Sequence, residues 1–193
     1  MLLQNAIENV AYDVIPDSDE SFTGSRIHLS DLSVFQKILL TTDGTLTEIL
    51  EIYLSEKIHV IKLSEDFVSA TPDILPLNIR KGREVIERKI LLQGKVSRKN
   101  WLYAESVIVL DRLDVKFRHG LIKSKIPIGK LWQEHKIETF KEIIRYNREA
   151  AGHLAGYFKI REEDRLLCRT YRVFSNREPI MMITEKFPDC YYL

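Results

Sequence analysis

The stretch PIMMITEKFP, residues 179–188, is an apolar run held between two prolines, and it carries one carboxylate, Glu185, near its end. Its Ile and Met content and its proline boundaries predict a β-strand. Alternate strand residues share a face, so Met181, Ile183 and Glu185 point one way while Ile180, Met182 and Thr184 point the other. An ionised carboxylate in such a row is costly unless a cation or a hydrogen-bond donor meets it. If it stays neutral instead, its pKa is raised, as a general acid requires. The competing reading is a solvated Glu185 at an exposed strand end, and periodicity alone does not separate the two.

The neighbouring strands supply cations. In CRTYRVF (168–174), Arg169 and Arg172 fall on opposite faces, so one of them points inward if both faces are covered. In EVIERKILL (84–92), Arg88 shares a row with Ile86, Ile90 and Leu92. A buried guanidinium presents a planar fork of donors suited to a carboxylate, whereas an arginine at a sheet edge needs no such partner. One carboxylate and one or two arginines over an apolar floor outline a pocket for a small organic acid.

Further strand-like runs are KIHVIKLSEDFV (57–68), REVIERKILLQG (83–94), WLYAESVIVLDRL (101–113) and DRLLCRTYRVFS (164–175). The short connections GKVSRKN and NRE suit hairpins, hence antiparallel pairing. SDLSVFQKILL (30–40) predicts a short helix opened by the capping residues Ser30 and Asp31, with Leu32, Phe35, Ile38 and Leu39 at helical spacing. After the Asp-Gly turn TTDGT (41–45) a second helix places Leu46, Ile49, Leu50 and Tyr53 on one face. IPIGKLW (126–132) reads as a turn entering a helix, and IETFKEIIRYNREAAGHL (137–154) as a helix with Phe140, Ile143, Ile144 and Ala151 near one stripe. The expected class is α+β: a single antiparallel β-sheet flanked by helices, one domain over residues 1–193 with a polar, loosely ordered lead at 1–25.

Composition narrows the function. The 29 basic and 28 acidic residues give a net charge of +1 with no basic run, which disfavours nucleic acid as a partner. The first two helices have a helix-turn-helix shape, but the second is acidic, with Glu48, Glu51 and Glu56, where a DNA reader would be basic. No leader peptide or membrane-spanning run is evident, so a soluble, cytoplasmic protein is expected. Cys168 and Cys190 lack metal or disulfide spacing, and His28, His59, His119, His135 and His153 are scattered; both sets read as structural or surface residues. There is no GxGxxG, Walker A, HExxH or GxSxG motif.

The ordered set LLTTDGTLTEIL, ERKILL, NWLYAESVIVLDRL, IPIGKLW, CRTYRVF and PIMMITEKFP resembles the chorismate lyase family, particularly its branch in archaea and some bacteria, from about Leu32 to Pro188. The resemblance implies a cofactor-free, metal-free lyase that converts chorismate to 4-hydroxybenzoate and pyruvate in an enclosed pocket. It implies that Arg88 holds the ring carboxylate and that Glu185 faces the para oxygen, protonating the departing enolpyruvyl ether oxygen as a neutral acid. It also implies that Leu46 covers the ring and that Ile128 and Gly129 belong to a loop that reaches the ligand. Family members of the ubiquinone pathway carry a Gly-Arg pair shortly after the strand tryptophan, where this chain has Ala104 and Glu105; Arg172, or else Arg169, is then the candidate second carboxylate grip. The same fold is similar to the ligand-sensing domains of some bacterial transcription regulators. Those normally follow a winged-helix domain, for which about thirty leading residues are too few. A freestanding small-acid sensor is the alternative to the enzyme.

Overall fold

A computed structural model of the chain describes residues 27–123 and 128–193. The expected loose lead at 1–25 and the start of the IPIGKLW turn lie outside the described residues. Six strands form one sheet: β1 (Ile58–Ser69), β2 (Glu84–Gly94), β3 (Asn100–Ile108), β4 (Phe140–Ala150), β5 (Arg165–Ser175) and β6 (Glu178–Pro188). Their order is β1-β2-β3-β6-β5-β4, and every neighbouring pair is antiparallel. The two predicted hairpins join β2 to β3 and β5 to β6, so the expected α+β class with a single antiparallel sheet is what the chain adopts.

The helices are α1 (Val34–Thr41), α2 (Leu46–Leu54), α3 (Val115–Lys123), α4 (Ile128–His135) and the short α5 (Ala155–Phe158). Leu39, Leu40, Leu46 and Leu50 from α1 and α2, with Phe117, Leu121, Leu131 and Trp132 from α3 and α4, pack on one sheet face. The other face is covered by Leu154, Ala155 and Phe158 against Leu91, Tyr103, Leu166 and Cys168. Covering both faces explains why β2, β5 and β6 read as long apolar runs rather than simple alternations. Cys168 and Cys190 are free thiols, the first buried and the second exposed.

Three readings of the sequence are corrected. The segment expected as a helix over 137–154 is mostly strand β4, followed by a 3-10 turn at Gly152–Leu154 and α5. The cause is a bulge between Ile143 and Arg145: it sets two isoleucines side by side, breaks the period of two, and imitates a helical stripe. The third strand ends at Ile108 rather than Leu113, giving way to a 3-10 turn at Leu110–Arg112 and to helix α3, which the sequence reading did not anticipate.

The third correction concerns the start of α1. Its N-cap is Ser33, not Ser30 or Asp31: Ser33 Oγ accepts from Gln36 N at 3.1 Å while Gln36 Oε1 accepts from Ser33 N at 2.8 Å, a reciprocal capping box. Ser33 Oγ also donates to Tyr192 O at 2.6 Å, and Gln36 Nε2 donates to Asp189 Oδ1 at 2.6 Å. Tyr192 in turn donates to Trp101 O on β3 at 2.7 Å. The chain's last turn thus ties α1, and α2 behind it, onto the middle of the sheet. Ser33→Ala is expected to lower stability by about 1–2 kcal/mol through loss of cap and tether. Ser30→Ala should change it by less than about 0.5 kcal/mol, as surface substitutions do. Urea unfolding of both variants checks this, and equal effects would return the cap to the earlier residues.

Candidate active site

The two residues singled out in the apolar rows meet at one cavity. Arg88 on β2 stands opposite Ser106 on β3, and Ser106 stands opposite Ile183 on β6. Two residues along, Ile90 faces Ala104, Ala104 faces Glu185, and Glu185 faces Arg169 on β5. Arg88 and Glu185 therefore sit two strands apart and two residues out of line, about 12 Å between Cα atoms from ordinary strand spacing. The residues between them on the central strand are Ala104 and Ser106, whose short side chains leave the space that larger ones would fill. Apolar walls come from Leu46, Ile90, Leu92, Leu102, Ile128 and Ile183.

At one end Arg88 is 2% exposed, and all three guanidinium nitrogens are buried without a hydrogen-bond partner. Its nearest carboxylate is Glu65, 3.6 Å from Nε, which itself accepts from Lys62 at 2.6 Å. A bulge between Lys62 and Ser64 resets the alternation of β1 and puts Glu65 in register with Arg88. Burial pulls the Arg88 pKa below its ordinary value, with Glu65 opposing that pull.

At the other end Glu185 is 8% exposed and has the partners that its position demands. Arg169 Nε donates to Glu185 Oε2 at 2.6 Å, and Tyr171 Oη donates to Oε1 at 3.1 Å. Arg169 is fully buried and also donates from Nη1 to Thr42 O at 2.9 Å. Burial opposes its charge, but the Glu185 carboxylate and Tyr171 outweigh burial and raise its pKa. Burial, then the Glu185 charge, push the Tyr171 hydroxyl well above its usual range. The reading in which Glu185 is solvated at a strand end is therefore excluded.

Lys141 on β4 also lines the cavity, in the segment read as a helix. Its Nζ donates to Gly44 O at 2.8 Å and lies 5.6 Å from the centre of the Tyr171 ring. Burial holds its pKa below the ordinary lysine value, opposed by the charge of Glu185. Thr42 and Gly44 belong to the Asp-Gly connector, so buried cations of the sheet hold that turn through its carbonyls. Alternation along a correctly assigned β4 would have put Lys141 and Ile143 together on the face of Tyr171.

Leu46 and Ile128, named from the family resemblance, are the first residues of α2 and α4 and line the cavity, and Gly129 follows in α4. Arg172 is not brought there. It is on the other face, ion-paired with Glu142 at 3.0 Å and donating to Pro76 O at 3.1 Å. The inward arginine of β5 is Arg169. Ala104 lies in the cavity floor, whereas Glu105 sits beside Lys186 at 3.6 Å. Among the described residues no group of three or more His, Cys, Asp or Glu could hold a metal, and no helix is long and apolar enough to cross a membrane.

The family model described as Chorismate pyruvate-lyase Rv2949c-like matches residues 40–192. This chain belongs to that family. The chorismate pyruvate-lyase of Mycobacterium leprae is 33% identical over 167 residues, covering 86% of this chain and 79% of that protein. The chorismate pyruvate-lyase of Mycobacterium tuberculosis is 31% identical over 156 residues, 78% of each chain. Among solved structures, the effector domain of PhnF from Mycobacterium smegmatis has a TM-score of 0.60 at 11% identity, over 77% of this chain and 91% of that one. The C-terminal domain of the histidine utilization repressor from Pseudomonas syringae has a TM-score of 0.52 at 13% identity, over 69% and 93%. At these identities the likeness shows the fold that the lyase family and these regulator domains share.

The ion pair at Glu185 sets a stability test. Arg169→Met leaves a buried carboxylate without its cation and is expected to cost about 3–5 kcal/mol. Adding Glu185→Gln to that variant should recover much of the loss, because the uncompensated charge is gone. Denaturant unfolding of the singles and the double completes the cycle. Additive effects would show that the two residues do not depend on each other.

Proposed function

We propose that this chain is a chorismate lyase that eliminates the enolpyruvyl group of chorismate to give 4-hydroxybenzoate and pyruvate. The observation that carries the reading is Arg88: a fully buried guanidinium with three unpartnered nitrogens, at one end of an apolar cavity whose other end holds Glu185. Such a cation matches a ring carboxylate, with the Ser106 hydroxyl beside it. The ring then lies over Ala104, under Leu46 and Ile128, with its para oxygen toward Glu185.

In the elimination the ether C–O bond breaks and the adjacent ring carbon loses its proton. That C–H electron pair completes the aromatic ring, and the proton passes to the enolpyruvyl fragment, which leaves as pyruvate. Aromatisation drives the reaction, so the protein's part is to orient the ring, exclude water and stabilise the charge that shifts toward the leaving oxygen. Arg169 and Tyr171 both donate to Glu185, which holds its carboxyl group in place at the cavity and leaves it lone pairs to accept a further hydrogen bond. We therefore assign Glu185 as the acceptor of the para hydroxyl, fixing the carbon from which the proton departs, and leave the proton's transfer within the substrate.

Chorismate mixed with the EDTA-treated protein should yield 4-hydroxybenzoate and pyruvate in equal amounts by chromatography. Unchanged chorismate with the protein folded would overturn the proposal in favour of a small-acid sensor. Arg88→Ala should weaken 4-hydroxybenzoate binding by roughly 2–5 kcal/mol, the range for a buried charge-assisted contact. Glu185→Gln, which keeps the shape but removes the charged acceptor of the para hydroxyl, should lower kcat by about ten- to a hundredfold, the range for a lost hydrogen bond to a charged group. Equal turnover in that variant removes Glu185 from the chemistry.

A further inference from the structure

Three of the side chains that line the cavity are charged: Arg88, Lys141 and Glu185. The carboxylate is already matched by Arg169, which leaves two cations facing the space from different strands, Arg88 on β2 and Lys141 on β4. Among the described residues Lys141 makes no ion pair: it donates to a backbone carbonyl, that of Gly44, and Glu185 and Asp43 act on it only as nearby charges. Beside it stands Trp132, whose ring centre is 5.9 Å from Nζ. Trp132 is 8% exposed and lines the cavity, and its indole Nε1 is buried with no hydrogen-bond partner. An unpaired buried N–H is costly to keep. The ring that carries it stands beside a desolvated ammonium, and both residues line the same cavity.

We infer that Lys141 and Trp132 form a second anion subsite, which takes the carboxylate of the substrate's enolpyruvyl arm while Arg88 takes that of the ring. The inference rests on the chorismate reading for the identity of the arm, and on the two donors alone for the anion. It also assigns to Lys141 the place for which Arg172 was the sequence candidate. A two-ended grip of this kind binds a dicarboxylate and loses one end as the arm departs. The product, with one carboxylate, keeps the Arg88 and Glu185 contacts but loses the Lys141 one, which favours its release after bond cleavage.

The test uses two probes, 3-(carboxymethoxy)benzoate with two carboxylates and 3-methoxybenzoate with one, each titrated calorimetrically against the full chain and its variants. Lys141→Met should weaken the dicarboxylate at least tenfold and the monocarboxylate less than threefold, with Trp132→Phe weakening the dicarboxylate about threefold. Lys141→Arg, which keeps the charge, should restore most of the affinity, and it stands in for Lys141→Met if that variant unfolds because the Gly44 tether is lost: strong preference for the dicarboxylate then has to persist in Lys141→Arg. In turnover, Lys141→Met should raise KM for chorismate at least tenfold and leave the 4-hydroxybenzoate inhibition constant within threefold. Equal loss for both probes, or no preference for the dicarboxylate in the unaltered protein, overturns the subsite. Because the probe titrations need no reaction, a protein that leaves chorismate unchanged yet prefers the dicarboxylate keeps the subsite while losing the lyase.

Discussion

Arg169 and its carboxylate partner form the contact on which the rest of the site depends. The guanidinium lies at the centre of the sheet with no exposure and bridges β5 to Glu185 on β6 and to Thr42 O in the connector between α1 and α2. A cation taken so far out of water requires its counter-charge, and the counter-charge requires the cation. Each fixes the other's rotamer. Through Thr42 that rigidity reaches the start of α2, where Leu46 covers the cavity. The Lys141 bond to Gly44 O and the Tyr192 and Asp189 contacts to α1 hold the same helices from the other directions.

Space for a ligand comes from a different constraint. A sheet covered on both faces ordinarily fills its interior to native density. Here the central strand offers Ala104 and Ser106 between Arg88 and Glu185, and the helices above approach the gap with their first residues, Leu46 and Ile128, rather than with a full face. The opening is thus made by residue size on one strand and by where two helices begin. Larger side chains at Ala104 and Ser106 would close it without changing the fold.

Much of this was legible in the sequence. Alternation placed Met181, Ile183 and Glu185 on one face and separated Arg169 from Arg172, and the row around Arg88 emerged in the same way, because β2, β5 and β6 run unbroken through those positions. What escaped lies where alternation is broken. The bulge at Ile144 disguised β4 as a helix and hid Lys141; the bulge at Leu63 hid the approach of Glu65 to Arg88. Choosing which arginine of β5 faces inward required the register against Glu185, and register is a long-range property that no local pattern states. The helical N-cap went to the wrong serine because Ser30 and Ser33 both precede apolar residues, and only the tether to Tyr192 distinguishes them.

Two of the places where the fold leaves buried donors without hydrogen-bond partners argue for function. At the cavity Glu185 has two donors, and Arg169 has a carboxylate and a carbonyl for two of its three nitrogens. The Arg88 guanidinium, whose nearest counter-charge is Glu65 at 3.6 Å, and the Trp132 indole nitrogen have no hydrogen-bond partner, and both border the same cavity. Left in that state they cost stability that an apolar residue of similar volume would not. A chain that keeps them gives up part of its stability for donors that border a cavity. On the proposed function the acceptor is a carboxylate, the group to which a buried guanidinium is matched. It must also be largely apolar between its polar ends, because Ile90, Leu92 and Ile183 line the way from one to the other. An aromatic acid, the class of substrate proposed above, fits both features.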